Sequence, residues 1–284
     1  MMENEASTMP TIPFGEVEVS RLILGANPIN GVSHMSRFLS KDMKAYHTPE
    51  RTIELMNRCQ DLGINAFQSG SGDIATIEAF REQGGEMHFI SFAREKPEDP
   101  NLLDRLVAAG AVGIAHFGET TDALWKEGKI DLVREYCREI RDTGVMVGVG
   151  THVPDVIDHV ISEDWDVDFF MGSVYERHRT PEEVKELLGE VVLPEKEIYL
   201  ESDPARMYGV MRQTDKPCLA FKILAAGRLC ERPEQVEEAF ESAFRQLKPN
   251  DAVIVGMYMK YEDQPAINAE LVRQFSHLSG SLGA

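Results

Sequence analysis

The chain has 284 residues, of which 48 are acidic and 29 are basic, giving a formal net charge of -19. This length suits one large core. The acidic balance argues against a nucleic-acid backbone or an anionic membrane as a partner, so we expect a small-molecule substrate. The sequence carries no signal for an oligomeric state.

The apolar runs and the cysteines indicate the cellular compartment of the protein. The first residues lack an apolar signal core, and no later apolar run reaches the length of a membrane span. Cys59, Cys137, Cys218 and Cys230 show no CxxC spacing and suit reduced thiols. We therefore expect a cytoplasmic protein.

Residues 12–19 alternate around Gly15 and predict a small β-hairpin that closes the floor of a barrel. Apolar runs that suit buried parallel strands then recur eight times. They are Leu22–Ala26, Ile64–Gln68, His88–Ala93, Val112–Phe117, Val145–Gly150, Val167–Met171, Cys218–Leu224 and Ala252–Met257. The sequence thus predicts an α/β protein, a single (β/α)8 TIM barrel over residues 1–284 with an N-terminal hairpin, in which residues 1–10 form a flexible tail.

Helical spacing fills the segments between these runs. After Pro233, which suits a helix start, Val236, Phe240 and Phe244 recur four residues apart and form one apolar stripe. The stretch Gly31–Tyr46 after the first strand is a long connection, which we expect to cover the barrel mouth. The alternation of strands and helices places candidate functional groups at the carboxyl ends of the strands.

Several pieces of the chain, in their order and spacing, resemble the aldo-keto reductase superfamily between Val19 and Val272. The resemblance implies an oxidoreductase acting on a small polar carbonyl or sugar-like substrate with a nicotinamide cofactor. The matching pieces are Val19–Gly25, Gly63–Phe67, the strand ending in His116, Gly148–His152 with Pro154 and Asp155, Ala226–Leu229, Val253–Gly256 and Asn268.

The resemblance also implies a catalytic set of Asp, Tyr, Lys and His, of which this chain keeps only the histidine, as His116. The aspartate position falls on Gln68, the tyrosine position near Asp73, and the lysine position on Ala93 or Arg94. Carbonyl reduction needs a proton donor beside the hydride acceptor, and glutamine has no titrating group. We therefore expect an altered proton donor, with Asp73 as the candidate and His116 orienting the substrate oxygen.

For the cofactor, the resemblance implies NADP(H). After Gly256, where the family often has an arginine, the chain reads Met257–Lys260. The turn Ala225–Arg228 could offer backbone N–H groups and a guanidinium to a phosphate, or it is a tight turn with a solvated arginine. The residues assigned to the cofactor are Thr151, His152, Tyr175, Gly227, Arg228, Gly256, Lys260 and Asn268.

Lys222 lies inside an apolar run, where an inward-pointing ammonium is costly without a partner. Three roles fit: a Schiff-base nucleophile with a lowered pKa, a counter-ion for a bound anion, or one half of an internal ion pair with Glu201 or Asp168. We favour the ion pair.

A divalent metal is the alternative cofactor. His116 and His152 end neighbouring strands, which lie about 4.8 Å apart in a sheet, and Glu119, Asp73 and Glu201 could add a carboxylate. Equally, each imidazole could hydrogen-bond a neighbour and bind nothing.

Three functional hypotheses follow. The preferred one is a divergent aldo-keto reductase-like oxidoreductase. The second is a non-redox lyase, isomerase or hydrolase that uses His116 and His152, with or without a metal. The third is an inactive metabolite-binding barrel. The first two expect His116, Gln68 and Lys222 to point into one shared mouth.

Overall fold

An N-terminal hairpin precedes the barrel in the computed structural model, which describes residues 8–96, 98–177, 179–190, 192 and 197–281. Strands β1 (Thr11–Phe14) and β2 (Val17–Ser20) pair antiparallel. The turn between them contains Gly15, whose φ of 62° is a left-handed conformation that glycine adopts without steric cost. The predicted hairpin is confirmed.

The remaining strands form one closed, all-parallel barrel in the order β10-β3-β4-β5-β6-β7-β8-β9. This confirms the predicted (β/α)8 barrel, and each strand lies within or overlaps one of the predicted apolar runs. The strands are β3 (Leu22–Gly25), β4 (Ala66–Gly70), β5 (His88–Ala93), β6 (Ala111–His116), β7 (Met146–Thr151), β8 (Phe169–Ser173), β9 (Cys218–Phe221) and β10 (Ala252–Gly256).

Helices connect these strands and surround the barrel. In the part of the chain described, no helix is long and apolar enough to cross a membrane. The helices are α1 (Arg37–Tyr46), α2 (Pro49–Asp61), α3 (Ile74–Glu82), α4 (Leu102–Ala108), α5 (Gly118–Lys126), α6 (Asp131–Asp142), α7 (Pro154–Ser162), α8 (Pro181–Leu188), α9 (Asp203–Met211), α10 (Pro233–Gln246) and α11 (Gln264–Phe275).

Two apolar layers show which way each strand residue points. Successive side chains of a strand point to opposite faces, so one layer lies inside the barrel and the other between the barrel and the helices. The inner layer includes Ala66, Ile90, Ala115, Phe169 and Leu219. The outer layer includes Phe67, Phe89, Ile114, Phe170 and Ala220.

The hairpin closes the barrel floor, as predicted. Ile12, Phe14 and Val19 belong to the inner layer, and the Phe14 ring meets the Phe169 ring edge-on with centroids 4.9 Å apart. Gly113 makes room for this contact, because a Cβ at that position would lie 2.9 Å from Phe14 Cε1. The bottom of the barrel is therefore a packed core.

The amino-terminal segment is packed from Met9 onward. Met9 is buried, and the carbonyl oxygen of Pro10 accepts a 2.8 Å hydrogen bond from Arg21 N. The predicted flexible tail is therefore wrong for residues 9 and 10, because burial and this bond hold them. Residues 1–7 of that tail lie outside the described residues. The single-domain assignment stays a prediction.

Candidate active site at the barrel mouth

Gln68 lies two residues after Ala66 on β4, so its side chain points into the barrel as that of Ala66 does. It lies near the carboxyl end of the strand, close to the barrel mouth. Gln68 is 8% exposed, and its Nε2 atom has no hydrogen-bond partner among the residues that the structure describes. A buried amide nitrogen without an acceptor loses the hydrogen bond that it would make to water. Gln68 is thus a donor available to a ligand in the mouth, the direction in which it was predicted to point.

His116 points away from the mouth, contrary to prediction. Its Nδ1 atom lies 2.7 Å from Thr121 Oγ1 on α5, and its ring packs edge-on against Tyr136 of α6 at 5.6 Å. The adjacent Ala115 takes the inward position on β6. His116 therefore lies between the barrel and the helices, and the expectation that it shares one mouth with Gln68 and Lys222 is wrong.

Asp73, the predicted proton donor, follows β4 in a short 3-10 turn and is 4% exposed. Its Oδ2 atom accepts hydrogen bonds from Ser69 Oγ and, at 2.6 Å, from Asn30 Nδ2. Both bonds use the carboxyl oxygen as an acceptor. The surroundings of Asp73 fit a structural acceptor that ties the first loop to β4.

His152 and Asp122 form a buried pair at the carboxyl end of β7. His152 Nδ1 lies 2.7 Å from Asp122 Oδ2, and the backbone N–H of His152 donates to both carboxylate oxygens at 3.1 and 3.2 Å. Thr151 Oγ1 donates to Asp122 Oδ1 at 2.5 Å. Asp122 comes from α5, so the helix after β6 orients the imidazole at the end of β7.

This arrangement fixes the proton positions on the ring. An ionised carboxylate only accepts hydrogen bonds, so Nδ1 carries a proton and donates it to Asp122. In the neutral ring, Nε2 is then the atom that takes up a proton. His152, Ser173 and Glu176 line a narrow gap that is completed by residues of α7 and α9, namely Pro154, Asp203, Arg206 and Met207. A histidine held in this way by a buried carboxylate is a general base or acid in many enzymes.

Lys222 follows β9 and is partly buried. Its Nζ atom lies 4.8 Å from the centroid of the Phe221 ring, and no carboxylate of a described residue lies within 4.0 Å of it. Asp168 instead pairs with Arg141 at 2.6 Å, and Glu201 is exposed. The predicted ion pair is therefore wrong.

Two further properties set Lys222 apart. Burial, followed by the charge of Arg177, lowers the pKa of Lys222 to about 7. Its φ of 63° is a left-handed conformation that costs a non-glycine residue about 1–2 kcal/mol. Ala225 and Ala226, shortly after it, also have positive φ values. Strained backbone of this kind is enriched at functional sites.

A network of charged side chains crosses the mouth beside Lys222. Arg177 Nη1 lies 3.0 Å from Glu197 Oε1, and Arg177 Nη2 pairs with Glu119. His34 Nδ1 lies 2.8 Å from the same Glu197 oxygen. Burial raises the pKa of Glu197, but the His34 hydrogen bond and the charges of His34 and Arg177 lower it to about 2. The first loop is thereby tied to the loops after β6 and β8.

Arg228 makes its hydrogen bonds to backbone carbonyl oxygens of the protein. Its guanidinium donates to Ala225 O at 3.2 Å and to His34 O at 3.3 Å, and lies 3.9 Å from the centroid of the Tyr199 ring. The N–H groups of Ala225, Gly227 and Arg228 bond to carbonyls within the turn. The turn thus resembles a structural clamp more than a phosphate site.

The other residues assigned to the cofactor lie in separate surroundings. Tyr175 packs on Tyr199 with ring centroids 5.2 Å apart, and Lys260 pairs with Asp42 of α1. Asn268 is buried within α11, whereas Gly256 is exposed at the end of β10. Thr151 and His152 both contact Asp122. NADP(H) binding stays a prediction.

A metal site is not formed by the predicted ligands. His116 and His152 are held by different partners, Thr121 and Asp122. Over the described ranges, no three His, Cys, Asp or Glu side chains converge in a way that could hold a metal ion. The hypothesis that the two imidazoles form one metal centre is not supported by this geometry.

The sequence pattern did not identify Asp122, Glu197 or His34 as members of the site. Asp122 and Glu197 are ordinary carboxylates in a chain with 48 acidic residues, and only the fold separates them from solvated ones. The one usable signal was the length of the first loop, which carries His34. The predicted position of this loop over the barrel mouth indicated that side chains of the loop reach the site.

No family model and no curated protein matches the chain. Among solved structures, it is similar to a truncated 3-deoxy-D-arabino-heptulosonate 7-phosphate synthase from Thermotoga maritima, with 13% identity, a TM-score of 0.53, and 98% of this chain and 94% of that chain covered. It is also similar to a mandelate oxidase variant, with 12% identity, a TM-score of 0.55, and 99% and 82% covered.

These neighbours belong to other barrel families, and with no matching family model the assignment to the aldo-keto reductases is wrong. The motifs behind it are short pieces of strand and turn that follow from barrel geometry. Identities of 12 and 13% indicate a shared fold and leave the reaction open. The comparisons therefore show the (β/α)8 barrel fold alone.

Proposed function

We propose that the chain is a non-redox barrel enzyme, a lyase or isomerase, that performs acid–base chemistry on a small polar carbonyl or sugar-like compound. The reaction takes place at the side of the mouth formed by β7, β8 and β9. The observation that carries this proposal is the buried contact between His152 Nδ1 and Asp122 Oδ2 at 2.7 Å. It gives the imidazole one tautomer and one orientation.

In this proposal His152 Nε2 removes a proton from the carbon next to the carbonyl group and returns it at another position. Asp122 stabilises the imidazolium that forms, because its carboxylate accepts a hydrogen bond from Nδ1 throughout the reaction and does not itself become protonated. Thr151 Oγ1 and the His152 backbone N–H hold that carboxylate in place. Asp122 is therefore a positioning residue, and His152 is the group that transfers the proton.

Two inward or mouth-facing groups are suited to bind the substrate. Over the described chain, the Gln68 amide nitrogen has no hydrogen-bond partner, and the Lys222 amine has no carboxylate within 4.0 Å. Both can hydrogen-bond oxygen atoms of a small polar compound. The aromatic ring of Phe221 lies next to both His152 and Lys222 and gives the site an apolar wall.

The non-redox alternative is preferred to the nicotinamide hypothesis for two reasons. Asp73, the proposed replacement for the proton donor, already accepts hydrogen bonds from Ser69 and Asn30. Arg228, the proposed phosphate ligand, donates to backbone carbonyls instead. The His152 pair needs neither residue.

Proton exchange tests the proposal. The protein is incubated in D2O with pyruvate, dihydroxyacetone phosphate, glyceraldehyde and a panel of ketoses, and loss of the α-proton signals is followed by NMR. We expect enzyme-dependent exchange in at least one compound and its loss by about 10²–10⁴-fold in His152→Gln. The control is His88→Gln, at the opposite end of the barrel on β5. Equal rates in both variants would contradict the assignment.

A further inference from the structure

We propose that Lys222 is a covalent nucleophile that forms a Schiff base with the carbonyl carbon of a small aldehyde or ketone. This inference deepens the proposed function and rests on it. It assigns a bond-forming role to a residue that the proton-transfer step alone requires only for binding.

The position of Lys222 is fixed by the backbone. It follows the last residue of β9, where the carboxyl ends of the strands face the mouth. The carbonyl oxygen of Lys222 accepts from Ala225 N at 2.8 Å, and the preceding Phe221 O accepts from Val174 N at 3.0 Å. The left-handed φ at Lys222 ends the strand there and turns the chain at the mouth. The side chain therefore starts from a well-defined anchor.

The amine lacks the partners that would keep a lysine structural. Nζ has no hydrogen bond or carboxylate contact among the described residues, and it lies 4.8 Å from the centroid of the Phe221 ring. Charged groups surround it at longer range: Arg177 disfavours the ammonium form, while Glu197, Glu119 and Asp122 favour it. Burial outweighs these carboxylates, so a large share of the amine is neutral near pH 7.

A proton carrier and this amine lie next to the same aromatic ring, that of Phe221. The Phe221 ring is 5.3 Å from the His152 ring, centroid to centroid, and 4.8 Å from Lys222 Nζ. Schiff-base formation needs such a carrier, because both protons of the amine must be moved. The pair His152–Asp122 can move them without leaving its position.

Schiff-base formation proceeds through a carbinolamine and releases one molecule of water. The lone pair of Nζ attacks the carbonyl carbon, and one proton moves from nitrogen to the carbonyl oxygen, giving a carbinolamine. The second nitrogen proton moves to that hydroxyl group, which leaves as water, and a carbon–nitrogen double bond remains. No oxidant or reductant takes part. The imine nitrogen then takes up a proton from water, and the resulting iminium ion withdraws electrons from the neighbouring carbon, which makes the proton on that carbon easier for His152 to remove.

Trapping on the wild-type protein tests this inference. Pyruvate, dihydroxyacetone phosphate and glyceraldehyde are each added at pH 7 with sodium cyanoborohydride, which reduces an imine to a stable amine, and the modified lysines are mapped by peptide mass spectrometry. We expect Lys222 to be modified at least about tenfold faster than any exposed lysine. Modification spread evenly over exposed lysines, with Lys222 unmodified by all three probes, would overturn the inference.

The outcome can be separated from that of the proposed function. Absence of a Lys222 adduct, with exchange that still depends on His152, would remove the Schiff base and leave proton transfer standing. An adduct at Lys222 without proton exchange in any compound would support the Schiff base and remove the proposed proton transfer by His152. In Lys222→Met we expect trapping and exchange both to be lost, while Lys185→Met on the exposed face of α8 leaves both unchanged. Because mapping uses the wild-type chain, the result does not depend on the variant folding.

Discussion

His152 Nδ1 and Asp122 Oδ2 lie 2.7 Å apart, although 30 positions separate the two residues in the chain. The carboxylate comes from α5, which follows β6, and the imidazole comes from the end of β7. Two successive β/α units therefore contribute one buried pair. His152 and the residue that orients its ring, Asp122, therefore lie on different β/α units and can be substituted separately.

Asp122→Asn tests the orienting role. An amide can donate to Nδ1, which would favour the other tautomer and remove the stabilisation of the imidazolium. We expect the exchange rate to fall by about 10²–10⁴-fold with little change in KM. The control is Asp158→Asn on the exposed side of α7, which should retain the wild-type rate. A large rise in KM with an unchanged rate constant would instead indicate a binding role for Asp122.

The reaction of Lys222 should depend on pH with a midpoint near neutrality. Its pKa in the folded protein is lowered to about 7, so the reactive neutral amine increases as pH rises through 7 and is nearly complete above it. Below that point the trapping rate should fall by about tenfold per pH unit. The rates for exposed lysines should keep rising to about pH 10. A profile at Lys222 that matches theirs would contradict the unusual environment.

Arg177→Met gives the direction of the electrostatic effect. After burial, the Arg177 charge is the main cause that lowers the pKa of Lys222. Its removal should therefore raise that pKa and shift the trapping profile toward alkaline pH. The carboxylates released from Arg177, Glu197 and Glu119, act in the same direction, so a shift toward acid would contradict this cause of the lowered pKa.

The hairpin that closes the barrel floor should contribute strongly to stability. Phe14 is 1% exposed and packs against Phe169. We expect Phe14→Ala to lower the free energy of unfolding by about 3–5 kcal/mol in urea denaturation. Phe38→Ala is the matched control, since Phe38 is 68% exposed, and it should change stability by less than about 0.5 kcal/mol. Similar effects of the two substitutions would argue against a packed floor.

Most of the fold could be predicted from the sequence, because each barrel strand is an apolar run bounded by turn residues. The same property explains the error at His116. Strands buried on both faces lack the alternation that marks an inner and an outer side, so nothing in Val112–Phe117 distinguishes them. The pairing of β5 with β6 also shifts register between Phe89 and Ile90, which moves the phase of β6.

The candidate site was harder to predict because its members come from distant loops. Lys222 was visible as a lysine inside an apolar run, but its missing ion-pair partner was not. Asp168, which was expected to pair with it, bonds to Arg141 at the other end of the barrel, where its carboxylate also accepts from Val147 N. Pairing between charged groups depends on which ends of the strands they occupy, and a list of residues does not specify this.

The most direct test of the account is the rate of solvent-deuterium exchange into the panel of carbonyl compounds, compared between wild type, His152→Gln and His88→Gln. The account predicts that at least one compound exchanges at rates that are equal in wild type and His88→Gln, and about 10²–10⁴-fold lower in His152→Gln. Exchange that survives in His152→Gln at the wild-type rate would contradict the claim that this histidine transfers the proton.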